Sequence, residues 1–316
     1  MQLDSVRELK AEVRERLTAR VSATAQAEPT TVALGVLPRP RGYALAVRVS
    51  SADALALPPL EAVLDRWSAE ADVRVVGPVL AASRALPLPA AARRRVRPLV
   101  PGTSVAHPDV TAGTLGAFVI DAEGRVLLLS NNHVLADTDR ARVGDPVLSP
   151  GPADGGRPGV DRVATLTGFE RLVPTGNRLD LAVAAVDDPA LVGGNTVPEG
   201  ELSGVVDEVL DGVAVAKTGR TTGHTTGTVT AVELDGVTVD YGRGQLLSFD
   251  DCLEVEGDGR AFSDGGDSGS VVYALDGLSA LGLLFAGSTT GGSGGTGLTY
   301  CNGAALALRT AGVTLL

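Results

Sequence analysis

The chain has 316 residues, 44% of them hydrophobic and only 3% aromatic, which is enough for one large or two modest domains with well-buried cores. Its formal net charge of −11 argues against nucleic acid or an anionic membrane as a main partner, because both repel an acidic protein. A soluble protein is expected, and a preference for basic substrates stays open.

Residues 1–22 are predicted to form an amphipathic helix. Apolar side chains recur every three to four positions and share one face, while Asp, Glu, Arg and Lys occupy the other. The apolar positions are Leu3, Val6, Leu9, Val13, Leu17 and Val21. Charges interrupt the stretch, so it fits neither a secretory signal nor a membrane span, and a cytoplasmic location is expected. The apolar face is expected to pack on this chain or on a partner subunit, which would permit a homo-oligomer.

A small α/β layer is predicted to follow the helix. Residues 31–36, 43–49 and 71–76 have the composition of strands, and residues 60–67 have that of a crossing helix. No plausible catalytic set occurs in this layer. Three roles stay open for it: a docking domain, a segment that assists folding, or a cover for the cleft.

Residues 86–98 combine prolines with a burst of arginines, a composition typical of an extended, solvated linker. Cleavage at the basic run is the alternative interpretation. We place a domain boundary near residue 100, which separates an accessory region at 1–100 from a second domain at 101–316.

From about residue 111, short strands alternate with Gly, Pro and Asp turns, as expected of antiparallel barrels or sandwiches. Residues 125–130 are predicted to form a buried strand that leads directly to His133, so this imidazole would lie where a strand ends beside a cleft. The chain has only three histidines. His107 lies in a Pro-flanked segment expected to be a linker, and His224 lies in a Thr- and Gly-rich turn with a structural or substrate-rim role.

Asp180 opens an otherwise apolar strand, where burial of a carboxylate is costly unless a partner pairs with it. A histidine N–H is a natural partner, because the carboxylate then fixes the imidazole tautomer and stabilises the imidazolium. Asp180 is therefore the candidate partner of His133.

The run Gly-Gly-Asp-Ser-Gly-Ser at 265–270 is predicted to carry a nucleophile. Glycines let the backbone approach a ligand and turn its N–H groups inward, while Ser268 at the apex projects a hydroxyl into the same space. A flexible turn without chemistry is the alternative. The upstream His133 and Asp180 favour the nucleophile, since the order His, Asp, Ser is that of the chymotrypsin triad.

These motifs give the chain a resemblance to the trypsin-like serine peptidases of chymotrypsin fold. Ser-Asn-Asn-His-Val at 130–134, Leu-Asp-Leu-Ala at 179–182 and Gly-Asp-Ser-Gly at 266–269 carry it. The stretch 217–229 is similar to a strand and turn of the secreted bacterial α-lytic and streptogrisin peptidases. More closely, the run 113–288 resembles the intracellular bacterial peptidases related to the plant narrow-leaf protease.

The resemblance implies a mainly β fold with two six-stranded antiparallel β-barrels, preceded by the N-terminal helix and the small α/β region. His133 and Asp180 would come from the first barrel and Ser268 from the second. The implied activity is that of a serine endopeptidase, which hydrolyses peptide bonds of protein substrates through an acyl-enzyme intermediate. The backbone N–H groups of Gly266 and Ser268 would form the oxyanion hole.

The resemblance implies a cationic partner for Asp267, the acidic residue before the nucleophile. In the trypsin group this partner is a new N-terminal amine released by cleavage, whereas the bacterial relatives use an internal basic side chain. We expect Lys217, or failing that Arg220, to be the internal partner, so that no proteolytic activation is needed.

Specificity residues depart from the family pattern. Phe262 stands six positions before the nucleophile, where trypsin-like pockets hold an aspartate, and Asp264 either adds negative charge to the pocket or is an exposed turn residue. By the resemblance, Phe285 stands at the position of the serine that supports the catalytic aspartate in the family. The backbone of Phe285, Ala286 and Gly287 is still expected to pair with an extended peptide as an added strand. These substitutions leave the P1 preference open and suggest slow or tightly regulated activity.

Cys252 and Cys301 are predicted to be buried free thiols, since neither matches a usual disulfide position of the secreted peptidases. The chain has no Cys-x-x-Cys, no His-x-x-x-His and no phosphate-binding loop, so we expect no metal and no nucleotide or other cofactor. Two alternatives to an endopeptidase acting on proteins or peptides remain. One is a catalytically silent peptide-binding module, and the other is a regulatory or assembly protein whose activity lies in the N-terminal region.

Overall fold

The computed structural model describes residues 1–21, 31–81, 95–209 and 212–316. Most of the predicted linker at 86–98 lies outside the described residues, which resume at 95. The helices of the described chain are α1 (Leu3–Val21), α2 (Pro58–Trp67), α3 (Asn132–Leu135) and α4 (Ala304–Ala311).

Strands make up most of the regular structure. They are β1 (Val32–Arg39), β2 (Gly42–Val49), β3 (Ala71–Val75), β4 (Val79–Ala81), β5 (Ser104–Val105), β6 (Gly113–Thr114), β7 (Ala117–Asp121), β8 (Val126–Ser130), β9 (Pro146–Leu148), β10 (Arg162–Phe169), β11 (Ala182–Val186), β12 (Thr196–Val197), β13 (Gly200–Glu201), β14 (Gly204–Val205), β15 (Ala214–Gly219), β16 (Gly223–Asp235), β17 (Val237–Asp240), β18 (Leu246–Phe249), β19 (Cys252–Gly257), β20 (Val271–Ala274), β21 (Ser279–Gly291), β22 (Gly297–Gly303) and β23 (Val313–Leu315).

Helix α1 packs its apolar face on strands of its own chain. Val6 and Val13 are buried in one cluster with side chains of β1 and β2, because a spacing of three to four residues brings them to one side of the helix. On its charged side, Lys10 Nζ lies 3.0 Å from Asp235 Oδ2 at the end of β16. Packing thus fixes the helix to β1 and β2, and the charged contact fixes it to β16 in the C-terminal half of the chain.

The predicted α/β layer at 31–76 is present. β1 and β2 form an antiparallel hairpin, and β3 lies parallel to β2. A parallel return needs a crossover, which α2 supplies. This helix begins at Pro58, where the fixed φ of proline suits a first helical turn, and it buries Leu60 and Val63 against the layer.

Six antiparallel strands of the C-terminal half close into a barrel. Their order is β15, β16, β19, β22, β21, β20 and back to β15. Along much of β16, buried and half-buried side chains alternate, because successive side chains of a strand point to opposite faces. β1 pairs with β16, so strands of the N-terminal region belong to the same 13-stranded sheet as the barrel.

A second set of six antiparallel strands follows the order β23, β7, β8, β11, β10, β9. Its last member in the chain, β23, pairs with β7, so residues near position 316 complete the sheet. The two six-stranded sets share an apolar cluster that includes Leu129 and Leu283. The predicted chymotrypsin-like, mainly β fold class is confirmed.

The two cysteines are buried free thiols, as predicted, and burial raises the pKa of both. Within the described ranges, no helix has the length and apolar content needed to cross a membrane. In the part of the chain that the structure describes, no three or more His, Cys, Asp or Glu side chains are grouped so that they could bind a metal ion.

Candidate active site

The backbone of Asp180 is fixed from two sides just before β11. Its N–H donates to the side-chain oxygen Oδ1 of Asn302 at 2.8 Å, and its carbonyl accepts from Nδ2 of Asn131 at 2.6 Å. Asn131 and Asn302 come from opposite halves of the chain. The carboxylate is therefore placed at the junction of the two six-stranded sets.

The carboxylate of Asp180 is fully buried and accepts hydrogen bonds at both oxygens. Oδ1 accepts from the backbone N–H of His133 at 3.1 Å, and Oδ2 lies 2.5 Å from His133 Nδ1. Oδ2 also accepts from the hydroxyl of Tyr241 at 2.6 Å. An ionised carboxylate can accept several such bonds, and they offset the cost of its burial.

His133 is held in the orientation that a general base requires. It lies in the single turn α3 that follows β8, and it is 2% exposed. Because a carboxylate only accepts, a neutral ring that bonds to Asp180 through Nδ1 carries its proton on that nitrogen and presents Nε2 as an acceptor. Nε2 is buried and has no hydrogen-bond partner among the described residues.

Ser268 lies in the turn between β19 and β20 and is fully buried. Its Oγ donates to the backbone carbonyl of Phe285 at 3.2 Å. The structure thus forms the His133–Asp180 pair and leaves the Ser268 hydroxyl bonded to β21. Catalytic hydrogen bonds are often absent or long without substrate, so this arrangement is compatible with a resting site.

Strand β6 fixes the Ser268 turn against the end of β8. The backbone N–H of Thr114 donates to the Ser268 carbonyl at 2.8 Å, and Ser130 Oγ donates to the Thr114 carbonyl at 2.7 Å. Gly269 has a φ of +94°, and a Cβ there would collide with Ser130 and Thr114. Glycine is therefore required at this close approach, which brings the serine turn to the strand that leads into His133.

The two backbone groups predicted as an oxyanion hole are available. Neither Gly266 nor Ser268 uses its N–H in a hydrogen bond to any described residue. Gly266 has a φ of +100°, which a side chain would oppose. The neighbouring carbonyls are tied back, since Thr221 Oγ1 donates to Gly265 O at 2.7 Å and Thr114 Oγ1 donates to Gly266 O at 2.8 Å.

Asp267 lies beside Lys217, and both side chains are completely buried. Lys217 Nζ is 3.1 Å from Asp267 Oδ2 and also donates to the carbonyl of Gly223 at 3.0 Å. Burial lowers the pKa of Lys217 below its ordinary value, and the negative charge of Asp267 opposes this shift. The arrangement is that of an internal ion pair beneath the serine turn.

The other predicted partner, Arg220, is directed elsewhere. Its Nε donates to Asp154 Oδ2 at 2.7 Å, in the loop that follows β9. Its backbone N–H donates to Thr114 Oγ1 at 3.0 Å. Arg220 therefore ties the strand that carries Lys217 to the first six-stranded set and does not contact the Asp267 carboxylate.

A cavity of about 500 Å³ is lined in part by Tyr241, the residue that donates to Asp180. Asp264, Gly287 and Tyr241 contribute to its lining, and Asp264 is exposed at its edge. Phe262 does not line it, because its side chain is fully buried in the apolar cluster of the C-terminal barrel, 5.9 Å from Lys217 Nζ. Of the polar candidates from the sequence, Asp264 is the one that faces this cavity.

The strand edge expected to bind an extended peptide is already paired. Phe285 and Ala286 are fully buried, and β4 runs antiparallel to this part of β21. Ala81 lies opposite Ala286, and Leu80 lies opposite Gly287. The other side of β4 pairs with β17, so a segment of the N-terminal region lies between the candidate substrate edge and the β17–β18 hairpin.

Tyr241, Asn302 and strand β4 were not predicted from the sequence. Tyr241 is one of only four tyrosines and lies in a turn rich in glycine, which was the one signal available. Asn302 lies in a strand and carries no motif. β4 has three residues, too short for a periodic pattern to show.

No protein-family model matches the chain, and none of the curated proteins matches it. Among solved structures it is similar to a glutamic-acid-specific serine protease described as using a histidine triad in substrate binding. The identity is 26%, the TM-score is 0.50, and the match covers 69% of this chain and 100% of that one.

Two further solved structures are similar at lower scores. Thermobifida fusca protease A has 21% identity and a TM-score of 0.48, over 69% of this chain and 97% of its own. A Nocardiopsis protease has 20% identity and a TM-score of 0.49, over 68% of this chain and 97% of its own. All three of these solved structures are proteases, and the glutamic-acid-specific enzyme supports the chymotrypsin-like fold.

Proposed function

We propose that this chain is a serine endopeptidase that hydrolyses peptide bonds of proteins or peptides, with Ser268 as nucleophile, His133 as general base and acid, and Asp180 as its carboxylate partner. The observation that carries the proposal is the buried contact of 2.5 Å between His133 Nδ1 and Asp180 Oδ2, beside a glycine turn that carries Ser268. The serine protease of similar fold supports it.

The first chemical step follows from the residue types. In the proposed first step, Ser268 Oγ rotates about χ1 and exchanges its bond to the Phe285 carbonyl for one to His133 Nε2. As Oγ attacks the substrate carbonyl carbon, its proton passes to Nε2 and the carbonyl π electrons move to oxygen. Asp180 stabilises the imidazolium that results.

The developing oxyanion would be bound by the N–H groups of Gly266 and Ser268, each contributing about 3 kcal/mol. The proton on His133 then passes to the leaving amine as the C–N bond breaks. Water, deprotonated by the same nitrogen, then attacks the acyl carbon. The bond from that carbon to Ser268 Oγ breaks, Nε2 returns the proton to Oγ, and the acid is released. Every proton in this sequence moves through one atom, His133 Nε2, and no cofactor is required.

We also propose that the chain is related to one particular group of serine peptidases. The motif run 113–288 supports kinship with the intracellular bacterial peptidases related to the plant narrow-leaf protease. A cytoplasmic location, the absence of nucleic-acid and membrane partners, and a possible homo-oligomer formed through the N-terminal region belong to the same proposal.

A second candidate function is favoured by one observation. Ser268 Oγ is bonded to the Phe285 carbonyl while His133 Nε2 has no partner in the described ranges, which is what a catalytically silent peptide-binding or regulatory protein would show.

Labelling with a fluorophosphonate probe separates the two functions. We expect the purified full-length protein to become covalently labelled, and we expect Ser268→Ala and His133→Ala to abolish labelling without loss of folding. Labelling tests the assembled site without knowledge of the substrate. A folded wild-type protein that resists the probe at high concentration would contradict the endopeptidase and favour the silent module.

A further inference from the structure

The hydroxyl of Tyr241 supplies a contact to the candidate triad that no motif indicates. Tyr241 follows β17, and its hydroxyl lies 2.6 Å from Asp180 Oδ2, the same oxygen that faces His133 Nδ1. Because the other oxygen, Oδ1, accepts from the His133 backbone N–H, donors outside the imidazole ring constrain both oxygens of the carboxylate.

The direction of this hydrogen bond is determined by the partners. An ionised carboxylate only accepts, so the phenol must donate its proton. Burial raises the pKa of Tyr241 well above its usual range, and the adjacent charge of Asp180 raises it further. The phenol therefore keeps its proton throughout the pH range in which the protein would act.

Packing fixes the position of this hydroxyl. The Tyr241 ring meets the His133 ring edge-on, with 5.6 Å between centroids, and lies 6.1 Å from the Phe249 ring in a stacked arrangement. Phe249 in turn packs on Phe285 at 4.6 Å. The backbone N–H of Tyr241 donates to the Gln245 carbonyl at 3.0 Å, which closes the turn.

The side chain of Phe285 cannot supply a hydrogen bond to Asp180. The resemblance places a supporting serine at this position, but an apolar ring cannot donate to a carboxylate. The row of aromatic rings that begins at Phe285 leads instead to Tyr241, whose hydroxyl donates to Asp180 from the turn after β17. The donor is thereby relocated from β21 to the end of β17.

We propose that Tyr241 is a positioning residue of this site, which holds the Asp180 carboxylate in the orientation that His133 needs and replaces the hydroxyl absent at Phe285. The inference rests on the proposed peptidase function. Tyr241 acts through Asp180 and His133, and it forms no bond to the reacting atoms.

The test uses Tyr241→Phe in the full-length protein, because phenylalanine keeps the ring packing and removes only the hydroxyl. The matched control is Tyr273→Phe. Tyr273 is also buried, and its hydroxyl donates to a carboxylate, Glu199 Oε2, at 2.7 Å, but this pair lies outside the triad. Both variants lose one tyrosine–carboxylate hydrogen bond, so a general loss of stability affects them alike.

Loss of a hydrogen bond to a charged group corresponds to a decrease in rate of about tenfold. We expect the fluorophosphonate labelling rate and kcat on a peptide substrate to fall about tenfold in Tyr241→Phe with KM unchanged, and to stay within about twofold in Tyr273→Phe. We also expect the His133 Nδ1–H proton to resonate far downfield because of its short contact with Asp180, and to move further downfield only in Tyr241→Phe, since Oδ2 then has one donor fewer.

The outcomes separate this inference from the proposed function. Equal labelling rates in wild type and Tyr241→Phe, or equal losses in the two variants, would overturn the positioning role. If wild type is not labelled at all, the peptidase proposal fails, and the proton resonance still tests the contact. An unchanged resonance in Tyr241→Phe would then show that Tyr241 does not hold Asp180.

Discussion

Asp267, which directly precedes Ser268, is a fully buried carboxylate with donors from four residues. Lys217 supplies the only positive charge among them. The donors are Lys217 Nζ, Thr221 N, Thr222 N and Oγ1, and Asp264 N. A buried charge pair is costly to break from one side, because the remaining charge then lacks compensation.

Replacement of Lys217 by Met is expected to lower the free energy of unfolding by about 3 kcal/mol, since it leaves the Asp267 carboxylate buried with neutral donors only. Labelling of Ser268 should be lost together with stability, because the ion pair lies beneath the serine turn. Urea denaturation and fluorophosphonate labelling measure the two effects.

The double variant Lys217→Met/Asp267→Asn is the control for this prediction. The amide keeps the shape of the carboxylate but removes its charge, so at least half of the lost stability should return. A single variant within about 1 kcal/mol of wild type would show that the neutral donors alone stabilise Asp267, since such hydrogen bonds are individually worth about that much.

At the scale of elements, strand β4 occupies the edge of β21 that a substrate peptide is expected to use. An extended peptide gains affinity by pairing its backbone with a free strand edge. Here residues 79–81 supply that pairing from the same chain, and Ser268, His133 and Asp180 are all almost completely buried. Of the three roles left open for the N-terminal region, a cover for the cleft is the one that this pairing favours.

Leu80→Pro tests whether β4 limits access to the site. Proline removes the N–H at a position paired on both sides, and a sheet interior does not accept it. We expect a severalfold increase in kcat/KM for an extended peptide substrate, because the edge of β21 becomes available. Near-UV circular dichroism verifies that the variant remains folded.

Leu80→Ala is the matched control for the strand. The Leu80 side chain is 40% exposed, so its truncation leaves the backbone pairing intact and should change activity little. A folded Leu80→Pro protein with the same kcat/KM as Leu80→Ala would contradict a covering role for β4.

On the scale of the whole molecule, the N-terminal region and the C-terminal barrel are joined by a buried ion pair. Arg48 Nε donates to Glu254 Oε2 at 2.7 Å, and Arg48 Nη2 donates to Glu254 Oε1 at 2.8 Å. Both residues are at most 1% exposed. Burial alone would lower the pKa of Arg48, but the charges of Glu254 and Asp72 outweigh burial and raise it. The guanidinium therefore stays charged.

We expect Arg48→Met to lower the free energy of unfolding by about 3 to 5 kcal/mol, because it leaves the Glu254 carboxylate uncompensated in the interior. The comparison variant is Arg162→Met. Arg162 pairs with Asp187 at the surface, where the side chains are 49% and 31% exposed, and such a pair contributes about 0 to 1 kcal/mol. Urea denaturation measures both variants.

Similar losses in Arg48→Met and Arg162→Met would show that the buried pair does not join the two regions energetically. A separate unfolding transition for the N-terminal region in wild type would lead to the same conclusion. A single transition is expected, since β1 and β16 belong to one hydrogen-bonded sheet.

The sequence alone determined the features that depend on neighbouring residues. Periods of about two and three to four residues predicted the strands and the helix α1, because side-chain direction follows directly from backbone geometry. The motifs around His133, Asp180 and Ser268 predicted the candidate site, since the chemistry of acyl transfer restricts which residue types can stand next to each of these residues in the sequence. The mainly β, chymotrypsin-like fold class followed from the same motifs through family resemblance.

Only the tertiary structure decided the contacts between distant segments. Tyr241 and Asp180 are 61 positions apart, and nothing in either local sequence indicates the other. A hydrogen bond depends on the placement of two atoms within a few tenths of an ångström. The packing of whole strands determines that placement, and it produces no periodic pattern in the sequence. For the same reason, the sequence did not predict the pairing of β4 with β21 or the bond from Ser268 to Phe285. These contacts distinguish an open site from a covered one.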